Sequence, residues 1–228
     1  IASGFQSIMS NQSDIVLAGG QESMSQAPHV IHLRNGKKLG DTELVDSMIR
    51  DGLWDAFNGY HMGNTAENVA QQFQITRKDQ DKFAFESQTK ALKAQKENKF
   101  DEEIVPFTIR SKKGSSTFKK DEHPREGISL EALQRLKTVF QKDGTVTAGN
   151  ASGINDGAAA VVLMTKTEAD KRGITPLAEI KSWASCGVDP SVMGTGPIPS
   201  SNKALKIAGW NSKELDLIEA NEAFAAQS

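Results

Sequence analysis

The sequence predicts an α/β fold interrupted by a loop-rich insertion, and three observations carry that expectation. Asp14-Ile-Val-Leu-Ala18 is a short apolar run ending at Gly19-Gly20, the pattern of a buried strand reaching a sharp turn. A helical-looking segment, Ile1 to Ser10, precedes it and completes half of an α/β unit. A second run, Ala158-Ala-Ala-Val-Val-Leu-Met164, is too apolar for a surface, and the long stretch between the two runs is loosely patterned.

The elements follow in order. Ile1 to Ser10 reads as the back half of an amphipathic helix with no capping signal at its start. From Gln21 to about Gly63 the pattern loosens around Pro28, Gly36 and Gly40, broken by a helical stretch from about Thr42 to Ala56 with Leu44, Val45, Met48, Ile49 and Leu53 on helical spacing. Thr65 to Phe73 forms a short helix, and Thr76 caps a longer one to about Asn98 whose face is Phe83, Ala84, Ser87, Ala91, Leu92 and Ala94. Glu103 to Arg110 is a strand that Pro106 places at an edge or bulge. A polar stretch from Ser111 to Gly127 and a short helix from Ser129 to Lys137 come next, and a loop of glycines from Gly144 to Gly157 then feeds the second apolar run. Lys166 to Arg172 is a helix ended by Gly173, and Pro176 opens a strand from Leu177 to Ala184. Helices are expected at Ser200–Ala208 and Ser212–Leu215, and Leu217 to Asn221 is a strand entering a last helix.

Composition bounds the function. The 228 residues carry 27 basic and 29 acidic side chains, a net charge of −2, which argues against an unspecific nucleic-acid or anionic-membrane binder. With 37% hydrophobic and 25% charged residues, no apolar run approaches the ~20 residues of a membrane span. The single cysteine, Cys186, excludes internal disulfides and any cysteine-based zinc cluster, and points to a reducing compartment. No metal-binding constellation emerges. The chain starts without a methionine and stops inside a helical pattern, so it reads as the middle of a longer protein.

Several motifs bear on chemistry, each with a functional and a structural reading. In Thr147-Ala-Gly-Asn-Ala-Ser-Gly-Ile-Asn-Asp-Gly157 glycines recur every four residues, which either exposes amides to a ligand or serves positive φ angles in a tight loop. The loop has neither the Walker nor the Rossmann glycine order. His61, before a helix, is a hydrogen-bonded structural residue or a catalyst, and His29 and His32 stand likewise. Asn221 at a strand-to-helix junction is an N-cap or an amide serving an oxyanion through water. Arg110, Lys112, Lys113, Lys119, Lys120 and Arg125 form a solvated basic loop or a contact for a phosphorylated ligand. Cys186, in apolar Trp183-Ala-Ser-Cys-Gly187, reads as an inert buried thiol rather than a nucleophile.

Taken together, Ala18-Gly-Gly-Gln-Glu-Ser-Met-Ser25, Tyr60-His-Met-Gly-Asn-Thr-Ala-Glu-Asn68, Gln80-Asp-Lys-Phe-Ala84, Gly144 to Gly157, Met193-Gly-Thr-Gly-Pro197 and Asn221-Glu-Ala-Phe224 resemble the thiolases, most closely their biosynthetic acetyl-CoA acetyltransferase branch. The resemblance implies the five-layered αβαβα thiolase fold with an inserted loop domain, only partly present here. On that plan residues 1–24 end the N-terminal domain and 25–154 form the loop domain for coenzyme A binding and oligomerisation. Residues 155–174 return to the N-terminal domain, and 175–228 start the C-terminal one.

The same resemblance implies the reversible condensation of two acetyl-CoA molecules to acetoacetyl-CoA and coenzyme A, with no cofactor beyond these thioester substrates. It implies a homodimer or homotetramer in the cytoplasm, with no nucleic-acid or membrane partner and no metal. It assigns Ser152, Ala148 and Gly149 to the pantetheine channel, Arg125 to the adenine and phosphate end, and Leu53 and Phe140 to the coenzyme's flanks. His61, Met62, Met193 and Phe224 would shape a short acyl pocket, and Asn221 would hold a water in an oxyanion hole. Met62 after His61 matches the short-chain subgroup. The family's acylated cysteine, its Gly-His-Pro histidine and its second cysteine have no counterparts in these residues, so the chain alone is expected to be inactive. A degradative 3-ketoacyl-CoA thiolase and a non-catalytic coenzyme A-binding segment are the alternatives.

Overall fold

The computed structural model describes residues 1–112 and 114–228, so Lys113 of the basic stretch lies outside the described residues. In chain order the elements are α1 (Ala2–Met9), β1 (Ile15–Ser23), β2 (His29–Val30), β3 (Val45–Asp46), β4 (Trp54–Asp55), β5 (Tyr60–His61), α2 (Met62–Gln72), α3 (Arg77–Lys96), β6 (Phe107–Ser111), β7 (Gly114–Phe118), α4 (Leu130–Gln134), β8 (Asp156–Met164), α5 (Lys166–Lys171) and α6 (Pro197–Ala208). The chain divides into two units, one made of Ile1–Tyr60 and Ile154–Glu219, the other of His61–Gly153 and Ala220–Ser228.

The first unit is built on an antiparallel ribbon in which β1 pairs with β8 from Ile15↔Met164 to Ser23↔Asp156. Both strands come from the two apolar runs. Gly4 lets α1 lie close on the ribbon, since a Cβ there would meet Val16 and Leu163 side chains at 3.0 Å. The expected stop at Gly19-Gly20 does not occur: β1 runs through to Ser23. A Cβ on Gly19 would lie 2.6 Å from the Ala159 carbonyl oxygen, so this glycine serves close strand approach and not a turn. The ribbon's end is tied by Asp156, whose carboxylate accepts the Ser25 amide at 2.9 Å and the Ser25 hydroxyl. These bonds, the hydroxyl first, hold the Asp156 pKa below 3.8.

The second unit holds α2, α3, α4 and the β6–β7 hairpin, whose strands are exposed throughout, and has a small core of Ala66, Ala70, Val146 and Ala226 flanked by Ile75, Phe140, Ala151 and Phe224. Helix α3 begins as its sequence indicates, with a reciprocal capping box between Thr76 and Asp79. Its buried residues are Gln80, Asp81 and Ala84, so two polar side chains occupy the face where apolar ones were expected.

Other departures turn on strand pairing, made in one place and not made in two others. The helix expected over Thr42 to Ala56 is replaced by β3, paired with β2, and a π-helical turn Met48–Leu53 whose start is held by the Asp46 carboxylate accepting the Met48 amide at 2.9 Å. Leu177 to Ala184 forms no ladder among the described residues. The chain there is extended, with Ile180, Ser182, Ala184, Cys186 and Val188 half-buried in alternation, and Ser182 Oγ donates to the Ala204 carbonyl of α6 at 2.8 Å. Leu217 to Asn221 likewise pairs with no strand among the described residues, and Leu217 and Ile218 are 91% and 77% exposed. The expected last helix is a single turn, because the Ala225 amide and the Ala223 carbonyl are engaged by Asn150 and Ser152.

Candidate active site

The site is built outward from His61, which caps α2. Its Nδ1 accepts the Gly63 amide at 2.9 Å, so in the neutral ring the proton sits on Nε2. Burial pushes the His61 pKa below its ordinary 6.5, which keeps that neutral form at physiological pH. The imidazole stacks on Phe140 with ring centroids 4.7 Å apart, and Phe140 meets Phe224 edge-on at 6.2 Å. Gly63 lies under the Phe140 ring, and Asn64 Nδ2 donates to the Phe140 carbonyl at 3.3 Å.

The glycine-rich loop is held from beneath. The carboxylate of Glu67, a buried residue of α2, accepts the Thr145 amide (2.9 Å), the Thr145 hydroxyl (2.8 Å) and the Val146 amide (2.8 Å). Gly149, Gly153 and Gly157 do not have positive φ. The reason for Gly149 is packing: a Cβ there would meet Leu136 Cδ1 at 2.5 Å and Leu133 Cδ2 at 2.6 Å. Its amide is turned inward, donating to Thr147 Oγ1 at 3.1 Å. The loop's far side pairs with the C-terminal segment, the Ser152 amide donating to the Ala223 carbonyl at 2.9 Å beside the Ala151↔Phe224 bridge.

Thus His61, Met62, Phe140, Ala148, Gly149, Ser152, Asn221 and Phe224 belong to one unit, with Ala148, Ser152 and Asn221 exposed and His61, Met62, Phe140, Gly149 and Phe224 half-buried. Arg125 is in the same unit with an exposed side chain, its backbone amide donating to Gln88 Oε1 at 3.0 Å. Leu53, closing the π-helical turn, and Met193, in the 3₁₀ segment Pro190–Thr195, belong to the other unit. Lys119 and Lys120 border a groove of about 660 Å³ with Gln95, Phe100, Ile104 and Pro106. Cys186 is half-buried. Among the described residues there is no cluster of three His, Cys, Asp or Glu able to hold a metal, and no helix long and apolar enough to cross a membrane.

Sequence reasoning missed the groups that hold this arrangement, Glu67, Arg77, Asp81 and Asn150. Asp81 is fully buried and accepts Arg77 Nε at 2.7 Å and Asn150 Nδ2 at 3.0 Å. The available signal was polarity in a buried stripe: Glu67 lies between Ala66 and Val69, and Gln80-Asp81 leads into Ala84.

A two-unit α/β chain with a helix-capping histidine beside a glycine-rich loop defines the class, and comparison with known proteins gives the family. Residues 1–167 match the thiolase N-terminal domain and residues 174–228 the thiolase C-terminal domain. The chain belongs to the thiolase family and holds part of its fold. It is 57% identical over 228 residues to an acetyl-CoA acetyltransferase of Rhizobium meliloti (strain 1021), covering 100% of this chain and 58% of that protein. It is 56% identical over 225 residues to the cytosolic acetyl-CoA acetyltransferase of Rattus norvegicus, covering 98% and 57%. Among solved structures, the Bacillus anthracis acetyl-CoA acetyltransferase superposes with a TM-score of 0.96 at 45% identity over 99% of this chain and 57% of that one. Human mitochondrial 3-ketoacyl-CoA thiolase superposes with a TM-score of 0.94 at 46% identity and the same coverage. The chain therefore spans under three-fifths of the length of these relatives.

Proposed function

We infer that the whole protein is an acetyl-CoA C-acetyltransferase that reversibly joins two acetyl-CoA molecules into acetoacetyl-CoA and free coenzyme A. The carrying observation is the match at 57% identity along all 228 residues to a protein of that name. The grouping of His61, Phe140, Ser152 and Phe224 in one unit agrees with it.

In this reading a cysteine thiolate outside the 228 residues attacks the first thioester, coenzyme A leaves as its thiolate, and an acetyl-cysteine remains. A second cysteine takes a proton from the methyl of the next acetyl-CoA, and the resulting enolate attacks the acetyl-cysteine carbonyl, whose C–S bond then breaks to release acetoacetyl-CoA and return the first cysteine as its thiolate. Negative charge develops on oxygen in both steps, and a water held by Asn221 donates to it. Ala148, Gly149 and Ser152 line the pantetheine channel, Leu53 and Phe140 flank the coenzyme, and Arg125 meets its phosphorylated end. His61, Met62, Met193 and Phe224 limit the acyl group to a short one. Residues 25–154 act as the loop domain between 1–24 and 155–174, with 175–228 opening the C-terminal domain. Assembly is a homodimer or homotetramer in the cytoplasm, where the rat relative's name places that protein.

The test is condensation and thiolysis by full-length protein. Turnover of acetoacetyl-CoA that falls steeply with longer 3-ketoacyl chains supports the reading. Asn221→Ala should lower kcat by about 10²–10³. The likeness to 3-ketoacyl-CoA thiolase favours one alternative, a degradative enzyme, which a flat chain-length profile would establish instead.

A further inference from the structure

We propose that Asn150 is a positioning residue which holds the candidate site's loop and C-terminal segment in register, and that Asp81 and Arg77 in turn hold Asn150. The inference rests on the thiolase reading above. Asn150 is 3% exposed, and its side chain is bonded at both ends. Oδ1 accepts the Thr147 amide at 2.7 Å, while Nδ2 donates to Asp81 Oδ1 at 3.0 Å and to the Thr145 carbonyl at 3.1 Å. Its own carbonyl accepts the Ala225 amide at 2.9 Å, and two residues on, the Ser152 amide donates to the Ala223 carbonyl. These two bonds bracket the Ala151↔Phe224 bridge, and Phe224 is the ring that meets Phe140.

The support behind Asn150 closes on the same loop. Asp81 accepts Arg77 Nε at 2.7 Å, and Arg77 Nη2 donates to the Leu133 and Leu136 carbonyls at 2.7 and 3.0 Å. Leu133 and Leu136 are the side chains against which Gly149 packs. One residue therefore ties α3 to the loop carrying Ala148, Gly149 and Ser152 through its side-chain amide, and that loop to the segment carrying Phe224 through its backbone carbonyl. Only a group that donates on one side and accepts on the other fits between Asp81 and the Thr147 amide. Of the charged groups on the packed elements, those bonded into this network are Arg77 and Asp81 on α3 and Glu67 on α2, whose carboxylate is occupied by Thr145 and Val146; Glu222 is bonded to Ser87 Oγ at 2.6 Å.

Asn150→Asp in full-length protein is the test. It exchanges the donor for an acceptor about 3 Å from Asp81, so at pH 8 two carboxylates face each other, whereas at lower pH a shared proton restores an O–H···O bond. The KM for coenzyme A in thiolysis should rise at least tenfold at pH 8, fall back toward wild type near pH 6, and change more than kcat. Asn150→Ala should be raised at both pH values. The exchange Asp81→Asn with Asn150→Asp recreates the donor–acceptor pair between the two positions, leaving only the Thr145 carbonyl without its donor, and should recover part of the loss, which keeps the test decisive should the single variant not fold. An Asn150→Asp pH profile that parallels wild type, or no recovery in the double variant, overturns the proposal. Absence of thiolysis in the wild-type protein would overturn the functional reading instead.

Discussion

Gly63→Ala tests the packing at the centre of the candidate site. An alanine Cβ at this position would lie 2.3 Å from Cδ2 and Cε2 of Phe140 and 2.4 Å from its Cγ. Carbon atoms settle near 3.7 Å, so the ring must retreat by about 1.4 Å. The ring has little room to do so, because one face stacks on His61 at 4.7 Å and its edge relation to Phe224 is set at 6.2 Å. Two effects oppose each other. Gly63 is inside α2 and has no positive φ, so alanine favours the helix by roughly 0.5–1 kcal/mol. Overpacking a filled site costs about 1–3 kcal/mol, and a displaced aromatic pair forfeits a further ~0.5–1.5 kcal/mol. The second effect wins, and a net loss of about 2 kcal/mol, within a range of roughly 0.5–4, is expected in urea unfolding with an unchanged m-value. Adding Phe140→Leu removes the obstructing ring atoms, so the double variant should lose less than the sum of the two single losses. A Gly63→Ala protein more stable than wild type, or strictly additive behaviour with Phe140→Leu, would refute the reasoning.

Three further outcomes are expected, two from the geometry and one from the proposed function. Glu67→Ala leaves the Thr145 and Val146 amides without their acceptor in a buried setting and should cost about 2–4 kcal/mol by urea midpoint, a loss under ~1 kcal/mol contradicting the clamp. Because burial lowers the His61 pKa, the unfolded chain binds more protons at that site as pH falls below 6.5; this part of the stability is intact above that pH and lost on acidification through the folded-state value. His61→Asn, which keeps a capping group but does not titrate, should show a smaller drop in Tm between pH 7.5 and 5.5 than wild type. Arg125→Ala in full-length protein should weaken coenzyme A more than dephospho-coenzyme A, and equal losses would remove a 3′-phosphate contact from the reading.

What the sequence made legible, and what it did not, divides along a physical line. Features set by neighbours along the chain were readable: the Thr76 cap with Asp79 three residues on, the left-handed Gly173 that ends α5, and the two apolar runs as strands β1 and β8, although these are not the buried strands expected, with Leu17 and Val162 73% and 57% exposed. Features set by partners distant in sequence were not. Asp46 and Val45 read as helix until their pairing with His29 and Val30 is known, and Leu177 to Ala184 reads as strand although no described residue pairs with it. The same division runs through the site. His61, the glycine loop and Asn221 stand out because capping residues, glycines and element junctions are local signals. Glu67, Asp81 and Asn150 look like ordinary polar surface residues, since the apolar neighbours of Glu67 and Asp81 are only a weak sign that the three lie 4%, 0% and 3% exposed. Each has a partner far along the chain: Glu67 at Thr145, 78 positions on, and Asp81 and Asn150 at each other, 69 positions apart, with the Ala225 amide accepted by the Asn150 carbonyl. Burial turns each from a solvated side chain into one whose every unmade bond is costly, which is why these unremarked polar residues hold the loop that the recognisable motif only marks.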